Sequence, residues 1–272
     1  MIETLHWPVN GWWNALDSAT HYASMPMYDR PETRAANDRL WQLTRHALGF
    51  GPAALSRPND DLTAHWMHPD LVLSQTCSLP FRTALKGQVQ LVGTPVYDLP
   101  VLPGAYFSVI VARMLDAPIE AARVAINGPE SQSGWAALWE FYQSLGTRPG
   151  RIFQTGAHAR SAKAVADGVA DIAAIDAQTW ALIKRYDRFS DSLVELAQTP
   201  PTPALPFICG RNVDAGKVQN ALKWAIAELD EADRRSLRFL GLVEALETDY
   251  TTLPVPADPV TLDIPLQILA NG

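Results

Sequence analysis

The sequence lacks the features that would assign it to several common functional classes. It has no run of about 18–20 apolar residues, the length that a membrane-spanning helix requires. It has no stretch rich in Lys or Arg, and 22 basic residues against 29 acidic ones give a net charge of −7. We therefore expect no membrane insertion and no nucleic-acid or anionic-membrane surface. An anionic ligand would have to be held by local dipoles, because the overall field does not attract it.

Cysteine is scarce, and potential metal ligands are scattered. Cys77 and Cys209 match no metal-binding or redox spacing. A disulfide between them is compatible with the sequence, but two buried free thiols are favoured. His65 and His68 have a spacing that allows metal ligation, yet no nearby carboxylate or cysteine completes a site. We expect no metal and no cofactor.

The first residues do not have the pattern of a secretory signal. Met1–Pro8 lacks a basic start and a continuous apolar stretch. The chain as written is therefore expected to be cytoplasmic, although a start site downstream of a signal, or removal of the signal, would give the same sequence. Residues 1–19 form an N-terminal extension, in which Trp12 and Trp13 could cover a surface or a partner.

Strands alternate with helices along most of the chain. This pattern predicts an α/β fold with mostly parallel sheets flanked by helices. Two β-rich stretches, near 106–113 and 205–210, are spaced as crossings between two lobes would be. We assign residues 20–109 and 204–272 to one lobe, the latter with a C-terminal tail, and residues 110–203 to the other. Such a division predicts a ligand cleft between the lobes, beyond the carboxyl ends of the strands.

Several helix ends are recognisable. Asp29–Glu32 supplies a capping side chain and an early proline for a helix that Gly49 ends. Asp176 is expected to begin another helix. Between the strand near 205–210 and about Leu246, the sequence predicts two helices before a Pro-rich tail.

Polar side chains cluster where the predicted strands end. They are Ser24, Tyr28, Ser74, Thr76, Asn127, Ser131, Ser133, Thr155 and Asp176. The strongest of these features is Asn127–Gly134, where a strand leads through a loop into a helix with two serines in its opening turn. Free backbone N–H groups and the helix dipole favour negative charge there, which predicts an oxyanion site. The alternative, in which Ser131 or Ser133 only caps the helix, is about equally favoured.

Four segments together resemble one known family. The segment Ser131-Gln-Ser-Gly134 is similar to the helix-opening Ser-x-Ser-Gly of phosphonate-type solute-binding proteins of ABC importers. The segments Thr155–Val165 and Gly168–Asp176 resemble that family's Gly-x-His with its helix and its Gly-x-x-Asp-x-Ala strand followed by Asp. Leu205-Pro-Phe-Ile208 resembles its return crossing. The resemblance implies a two-lobed, type 2 periplasmic-binding-protein fold that closes on a phosphonate, phosphate or phosphite.

The resemblance also implies roles for particular residues. Ser131, Ser133 and the amides around Gly134 would hold the oxyanion, and His158 would donate from the next helix of that lobe. The candidate ligand-binding residues are Tyr28, Ser74, Thr76, Tyr97, Asn127, Ser131, Gln132, Ser133, Gly134, Thr155, His158 and Asp176. Gln132 departs from the hydroxyl residue that better-known phosphonate binders carry. Asp176 would select protonated or amine-bearing ligands; its alternative role is a helix cap, and that of His158 is a capping or surface imidazole.

We therefore predict a non-catalytic binding protein that closes on a small oxyanion and is recognised by an ABC permease or a sensor. The resemblance implies a periplasmic location. One alternative is an enzyme on the same scaffold that uses His158 and Asp176 as an acid–base pair. Another is a binder of a sulfonate or of a thiamine-precursor-like pyrimidine.

Overall fold

The computed structural model describes residues 21–58 and 62–269, which form two sheets with helices packed on them. The N-terminal extension, including Trp12 and Trp13, lies outside the described residues. The strands are β1 (Tyr22–Ala23), β2 (Leu71–Gln75), β3 (Val89–Tyr97), β4 (Ala105–Tyr106), β5 (Ser108–Ala112), β6 (Arg123–Ile126), β7 (Arg151–Gln154), β8 (Ile172–Asp176), β9 (Val194–Gln198), β10 (Thr202–Pro203), β11 (Phe207–Gly210), β12 (Phe239–Val243) and β13 (Leu266–Ile268).

The helices surround these sheets. They are α1 (Arg34–Leu48), α2 (Leu62–Trp66), α3 (Ser78–Arg82), α4 (Ala137–Ser144), α5 (His158–Ala166), α6 (Ala177–Tyr186), α7 (Ala215–Glu228), α8 (Glu231–Leu237) and α9 (Glu247–Thr251). A π-helical turn, Gln132–Ala136, precedes α4, and a 3₁₀ turn, Arg188–Ser192, follows α6. Within the described ranges, no helix is both long enough and apolar enough to cross a membrane.

Each sheet combines parallel strands with opposed ones. The five-stranded sheet has the order β1-β2-β11-β3-β12, and β11 and β12 run against the other three strands. The six-stranded sheet has the order β13-β7-β6-β8-β5-β9, and only β5 runs against its neighbours' direction. After crossing between the lobes, the chain enters the six-stranded sheet through β5 and the five-stranded sheet through β11. Both of these strands are antiparallel to their neighbours. The predicted α/β architecture with two lobes is confirmed.

The lobes are joined through a short antiparallel ribbon. In it, Thr202 pairs with Tyr106 and Pro203 with Ala105. A small buried cluster of Tyr106, Ala204 and Leu205 packs beside the ribbon. Two crossings therefore run side by side, close to the positions that the β-rich stretches predict.

The chain crosses between the lobes a third time, near its C-terminus. The assignment of all of 204–272 to the first lobe is wrong for the last strand, because β13 pairs in parallel with β7 at the edge of the six-stranded sheet. Ile264, which precedes β13, is buried in the core of the second lobe. The Pro-rich composition of this tail gave no strand signal, since its pairing partner lies over 100 residues earlier in the chain.

The first long helix begins later than the sequence predicts. Its N-terminal flanking residue is Thr33, and it begins at Arg34. Asp29 does not cap it, because its carboxylate accepts hydrogen bonds from Asn37 and Arg57 instead. The predicted C-terminus is confirmed: Gly49 has φ = 77° and donates its N–H to the carbonyl of Arg45, a left-handed conformation that glycine adopts at little cost.

We expect the third crossing to contribute to stability through Ile264. Substitution Ile264→Ala removes a side chain that is 2% exposed and should lower the free energy of unfolding by about 2–4 kcal/mol. Ile268→Ala on β13 is the control, because Ile268 is 71% exposed. Urea unfolding of both variants measures the difference. Equal destabilisation by the two substitutions would contradict the buried position of Ile264.

Candidate functional site

A cavity of about 450 Å³ lies between the lobes and is lined by residues of both. From the first lobe, the loop after β1 and the start of α3 reach it. From the second lobe, the carboxyl ends of β6, β7 and β8 reach it, and these three adjacent parallel strands end at the same edge of the sheet. The lining residues are Pro26, Met27, Tyr28, Asp29, Arg30, Pro31, Leu62, Cys77, Asn127, Ser133, Gly156, Ala157, His158, Ala159, Asp176, Thr179, Leu182, Asp187 and Leu205.

The segment after β6 shapes the polar side of this cavity. Ser131 flanks the π-helical turn, and its hydroxyl accepts the N–H of Gly134 at 2.9 Å. Glycine is required at 134 because a Cβ there would lie 1.9 Å from Asn127 Oδ1. This Oδ1 atom is buried and has no hydrogen-bond partner among the described residues. The loop therefore keeps Asn127 and Ser133 at the cavity with little space to move.

The backbone amides that open this helix face a sulfur atom. The N–H of Gln132 lies 3.3 Å from Cys77 Sγ. Burial raises the pKa of the Cys77 thiol, and the N–H groups of Gln132, Leu79 and Ser133 partly offset that rise. Cys77 is only partly buried and belongs to the cavity wall. The N–H of Gln132 therefore lies at the lobe boundary and is directed at a weak acceptor of the other lobe.

His158 extends the same polar wall. Its Nε2 atom lies 2.7 Å from Ser133 Oγ, and the tautomer decides which of the two donates. Burial lowers the pKa of His158 to about 4, so the imidazole is neutral at pH 7. Its Nδ1 atom is buried and has no partner within the part of the chain that the structure describes. The wall therefore offers neutral hydrogen-bonding groups rather than a fixed positive charge.

Asp176 combines a capping role with a position on the cavity. It precedes α6, and its Oδ1 accepts the N–H of Thr179 at 2.8 Å, as the alternative role of a helix cap predicts. Its Oδ2 accepts the hydroxyl of Tyr28 at 2.9 Å across the cavity. Burial raises the pKa of the Asp176 carboxyl to about 6, although these donors stabilise the anion. The group therefore titrates near neutral pH.

The lobes are also joined at the side of the cavity where Arg30 lies. Its guanidinium donates to both carboxylate oxygens of Asp187, at 2.9 and 3.1 Å. It also lies over the ring of Tyr186, 5.0 Å from its centre. Together with the bond between Tyr28 and Asp176, these contacts mean that the two lobes already touch at two points of the cavity wall.

Seven of the twelve predicted ligand-binding residues do not line the cavity. They are Ser74, Thr76, Tyr97, Ser131, Gln132, Gly134 and Thr155. Ser74 is buried and bonds Ser24 and Trp66 inside the first lobe. The hydroxyl of Tyr97 accepts from Gln75, and its ring packs edge-on beneath Tyr28 at 5.2 Å.

The other buried groups have local partners as well. The Thr76 hydroxyl points to the carbonyl of Cys77. The Thr155 hydroxyl lies 2.7 Å from that of Ser161, within the second lobe. The side chain of Gln132 turns away from the cavity and accepts from Arg82 of the first lobe at 2.6 Å. The positions of these side chains therefore do not support direct contact with a ligand, because their polar groups have intramolecular hydrogen-bond partners.

Five predicted residues do lie on the cavity, namely Tyr28, Asn127, Ser133, His158 and Asp176. Cys77 and Thr179 also line the cavity but are not among the predicted residues, although each follows a predicted strand end. The same holds for the apolar wall formed by Met27, Leu182 and Leu205. Apolar residues near a strand end have the same pattern as core residues, so the sequence gives no signal that separates them.

The histidine pair and the cysteines form no metal site in the structure. His65 Nε2 lies 2.8 Å from Ser24 Oγ, and His68 Nδ1 accepts the N–H of Asp70. Across residues 21–58 and 62–269, no group of three or more His, Cys, Asp or Glu residues could hold a metal ion. Cys77 and Cys209 are both free thiols.

A family model matches residues 86–252, which is more than half of the chain and includes the segments after β6, β7 and β8. Its description is "ABC transporter, phosphonate, periplasmic substrate-binding protein". The chain belongs to this family. No curated protein matches the chain at the level applied.

Solved structures of other proteins have the same fold at low sequence identity. A binding protein component of an ABC phosphonate transporter from Pseudomonas aeruginosa is 12% identical, with a TM-score of 0.67 over 85% of this chain and 82% of the other. PhnD1 from Prochlorococcus marinus, in complex with methylphosphonate, is 15% identical, with a TM-score of 0.65 over 85% and 94%. MatC from Rhodopseudomonas palustris, with bound malate, is 12% identical, with a TM-score of 0.56 over 81% and 90%. These likenesses show the two-lobed fold of periplasmic binding proteins.

The raised pKa of Asp176 has a consequence for this family member's stability. The pKa is about 6 in the folded chain and about 3.9 when unfolded, so stability present below pH 4 is lost as the pH rises through 6. Asp176→Asn keeps a capping oxygen and removes the titration. Relative to this variant, the wild type should lose about 1–3 kcal/mol between pH 4 and pH 8. Urea unfolding at several pH values measures this loss, and a constant difference between the two proteins would contradict it.

Proposed function

We propose that this family member is a non-catalytic solute-binding protein whose lobes close on a small oxyanion such as a phosphonate, phosphate or phosphite. The observation that carries the proposal is the turn Gln132–Gly134, which opens a helix beside the interlobe cavity, brings Ser133 to the cavity wall and directs the N–H of Gln132 at the thiol of Cys77. Amides at a helix N-terminus bind anions well because their unpaired N–H groups and the helix dipole act together.

An oxyanion is a much better acceptor for these amides than a thiol is. Hydrogen bonds to a charged oxygen contribute about 1.5–3 kcal/mol each, whereas sulfur accepts only weakly. A ligand oxygen would therefore take the N–H groups of Gln132 and Ser133 when the Cys77 side chain rotates away. Ser133 Oγ and His158 Nε2 lie 2.7 Å apart. This pair supplies a further donor next to the ligand oxygen that the amides would bind.

The cavity wall contains three carboxylates; Asp29 and Asp187 are bonded to arginines, and the remaining one, Asp176, restricts the ligand. Asp176 repels an anion unless a proton or a cation lies between them. Its pKa of about 6 allows it to bind a proton at mildly acidic pH. We infer that the preferred ligand is a protonated oxyanion or one that carries an amine, in agreement with the role that the sequence resemblance implies for Asp176.

The contacts between the lobes suggest how binding is communicated. Tyr28 bonds Asp176, and Arg30 bonds Asp187, only when the lobes are together. A ligand that touches both lobes stabilises this closed state, and a permease of an ABC importer or a sensor protein would then recognise it. We propose a periplasmic site of action on the basis of the family description.

The structure gives less support to an enzyme. Within the described residues, no hydrogen bond joins His158 to Asp176, whose oxygens bond Tyr28 and Thr179. The Ser133–His158 pair resembles a nucleophile and its base, but His158 Nδ1 has no carboxylate that would orient the ring. The ligand should therefore be recovered unchanged after incubation with the protein, which chromatography of the mixture checks.

Calorimetric titration tests the proposed ligand class. Phosphate, phosphite, methylphosphonate and 2-aminoethylphosphonate are titrated in turn, and at least one should bind with measurable heat. Ser133→Ala should weaken that binding by about 1–3 kcal/mol, the cost of losing a hydrogen bond to a charged group. Ser144→Ala is the matched control, because Ser144 ends α4 and bonds only the carbonyl of Phe141. If none of the four anions binds, the proposed function is wrong. If Ser133→Ala binds with unchanged affinity, Ser133 does not belong to the site.

Substitution of Cys77 tests the amide site directly. Cys77→Asp places a carboxylate near the amides of Gln132 and Ser133, where it should occupy them and reduce oxyanion affinity at least tenfold. Cys77→Ala removes the competing sulfur and should keep or increase the affinity. Both variants are compared by calorimetry after thermal unfolding has shown that they are folded. Equal affinities in the two variants would place the ligand away from these amides.

A further inference from the structure

The cavity between the lobes is much larger than an oxyanion head group. Its volume is about 450 Å³, whereas a cavity of about 150 Å³ holds a benzene ring. Pockets for organic ligands span about 300–1,000 Å³, so this cavity has the size typical of a substituted organic molecule. A tetrahedral anion bound at Ser133 would leave most of the space unfilled.

The cavity has this size while the two lobes are in contact. Tyr28 reaches Asp176 at 2.9 Å, and Arg30 reaches Asp187 at 2.9 and 3.1 Å. These bonds bridge the lobes at the cavity itself, so closure has little distance left to cover. The volume is therefore a property of the bridged state.

Much of the wall is apolar. Both lobes contribute to it: Met27 and Leu62 come from the first, Ala159 and Leu182 from the second, and Leu205 lies beside the ribbon that joins them. Leu182 and Leu205 are buried below 5% exposure, so they form a fixed surface. The polar lining includes Asn127, His158 and Asp176 at the strand ends, together with the ion-paired Asp29, Arg30 and Asp187 elsewhere in the chain. Water in contact with such an apolar wall is displaced favourably by an apolar group.

We propose that the ligand is an oxyanion with a bulky apolar substituent, such as an alkyl- or arylalkylphosphonate, rather than the bare anion. This inference rests on the proposed function, because the head group must bind at the amides of Gln132 and Ser133. The substituent lies against Met27, Leu182 and Leu205 and fills the volume that the head group leaves.

A ligand series of constant charge tests the inference. Calorimetry compares methyl-, propyl-, pentyl- and benzylphosphonate at one pH. Each added methylene that enters the apolar part of the cavity should tighten binding about fourfold, and benzylphosphonate should bind at least twentyfold more tightly than methylphosphonate. If methylphosphonate binds and the larger compounds bind equally well or less well, the inference is overturned while the proposed function stands. If no phosphonate binds, both fail.

Two alanines of helix α5 provide a matched pair of variants. Ala159 and Ala166 are both half-buried and pack on the same core, but only Ala159 lines the cavity. Ala159→Leu should reduce the affinity for benzylphosphonate at least fivefold and leave that for methylphosphonate within twofold. Ala166→Leu should change neither. Equal effects of Ala159→Leu on the two ligands, or no effect on benzylphosphonate, would contradict the placement of the substituent.

A second variant removes part of the wall instead of filling the space. Leu62→Ala shortens a half-buried side chain on the first lobe and should weaken benzylphosphonate binding several-fold, with methylphosphonate unaffected. This variant keeps the inference testable if Ala159→Leu does not fold. An unchanged affinity for benzylphosphonate would again count against the apolar site.

Discussion

The close approach of Asn127 to Gly134 is the constraint on which the site depends. Because position 134 carries no Cβ, the side chain after strand β6 can pack against the opening turn of the next helix. Ser131 then satisfies one of the amides of that turn, and two others remain directed at Cys77 of the opposite lobe. The same turn thus fixes Ser133 at the cavity and places peptide dipoles at the boundary between the lobes, where closure brings a ligand to them.

This arrangement would allow an acidic protein to bind the proposed oxyanion. The net charge is −7, and Arg30, the one arginine in the cavity wall, is bonded to Asp187 and Glu32. His158 has a pKa of about 4 and contributes no charge at neutral pH. Attraction must therefore come from short-range, oriented donors, which discriminate by geometry and cost little reorganisation. Unlike charged side chains, peptide dipoles also bind an anion without creating a long-range field that would concentrate other anions in the cleft.

The sequence predicts the second lobe well because its signals are local. Strand, loop and capping serine follow one another within Asn127–Gly134, and Asp176 is adjacent to the helix that it caps. Positions that depend on distant pairing were not predictable. Asp29 forms an ion pair with Arg57, the side chain of Gln132 accepts a hydrogen bond from Arg82, and β13 pairs with β7. None of these partners is close in the chain. Ser74 and Thr155 lie near strand ends in the sequence, as the cavity residues do. Only the structure shows that neighbouring side chains form hydrogen bonds with their hydroxyls.

One proton links ligand choice to closure. Ionised Asp176 accepts the hydroxyl of Tyr28 and thereby holds the lobes together, but the same charge opposes an anion in the cavity. When Asp176 binds a proton, the repulsion disappears and the carboxyl gains a donor of its own. A ligand that brings a proton or an amine to this position resolves the conflict without breaking the bond between the lobes. Under the proposed function, the carboxylate would therefore make closure sensitive to the protonation state of the ligand. A fully ionised anion would have to bind next to the negative charge that accepts the hydroxyl of Tyr28.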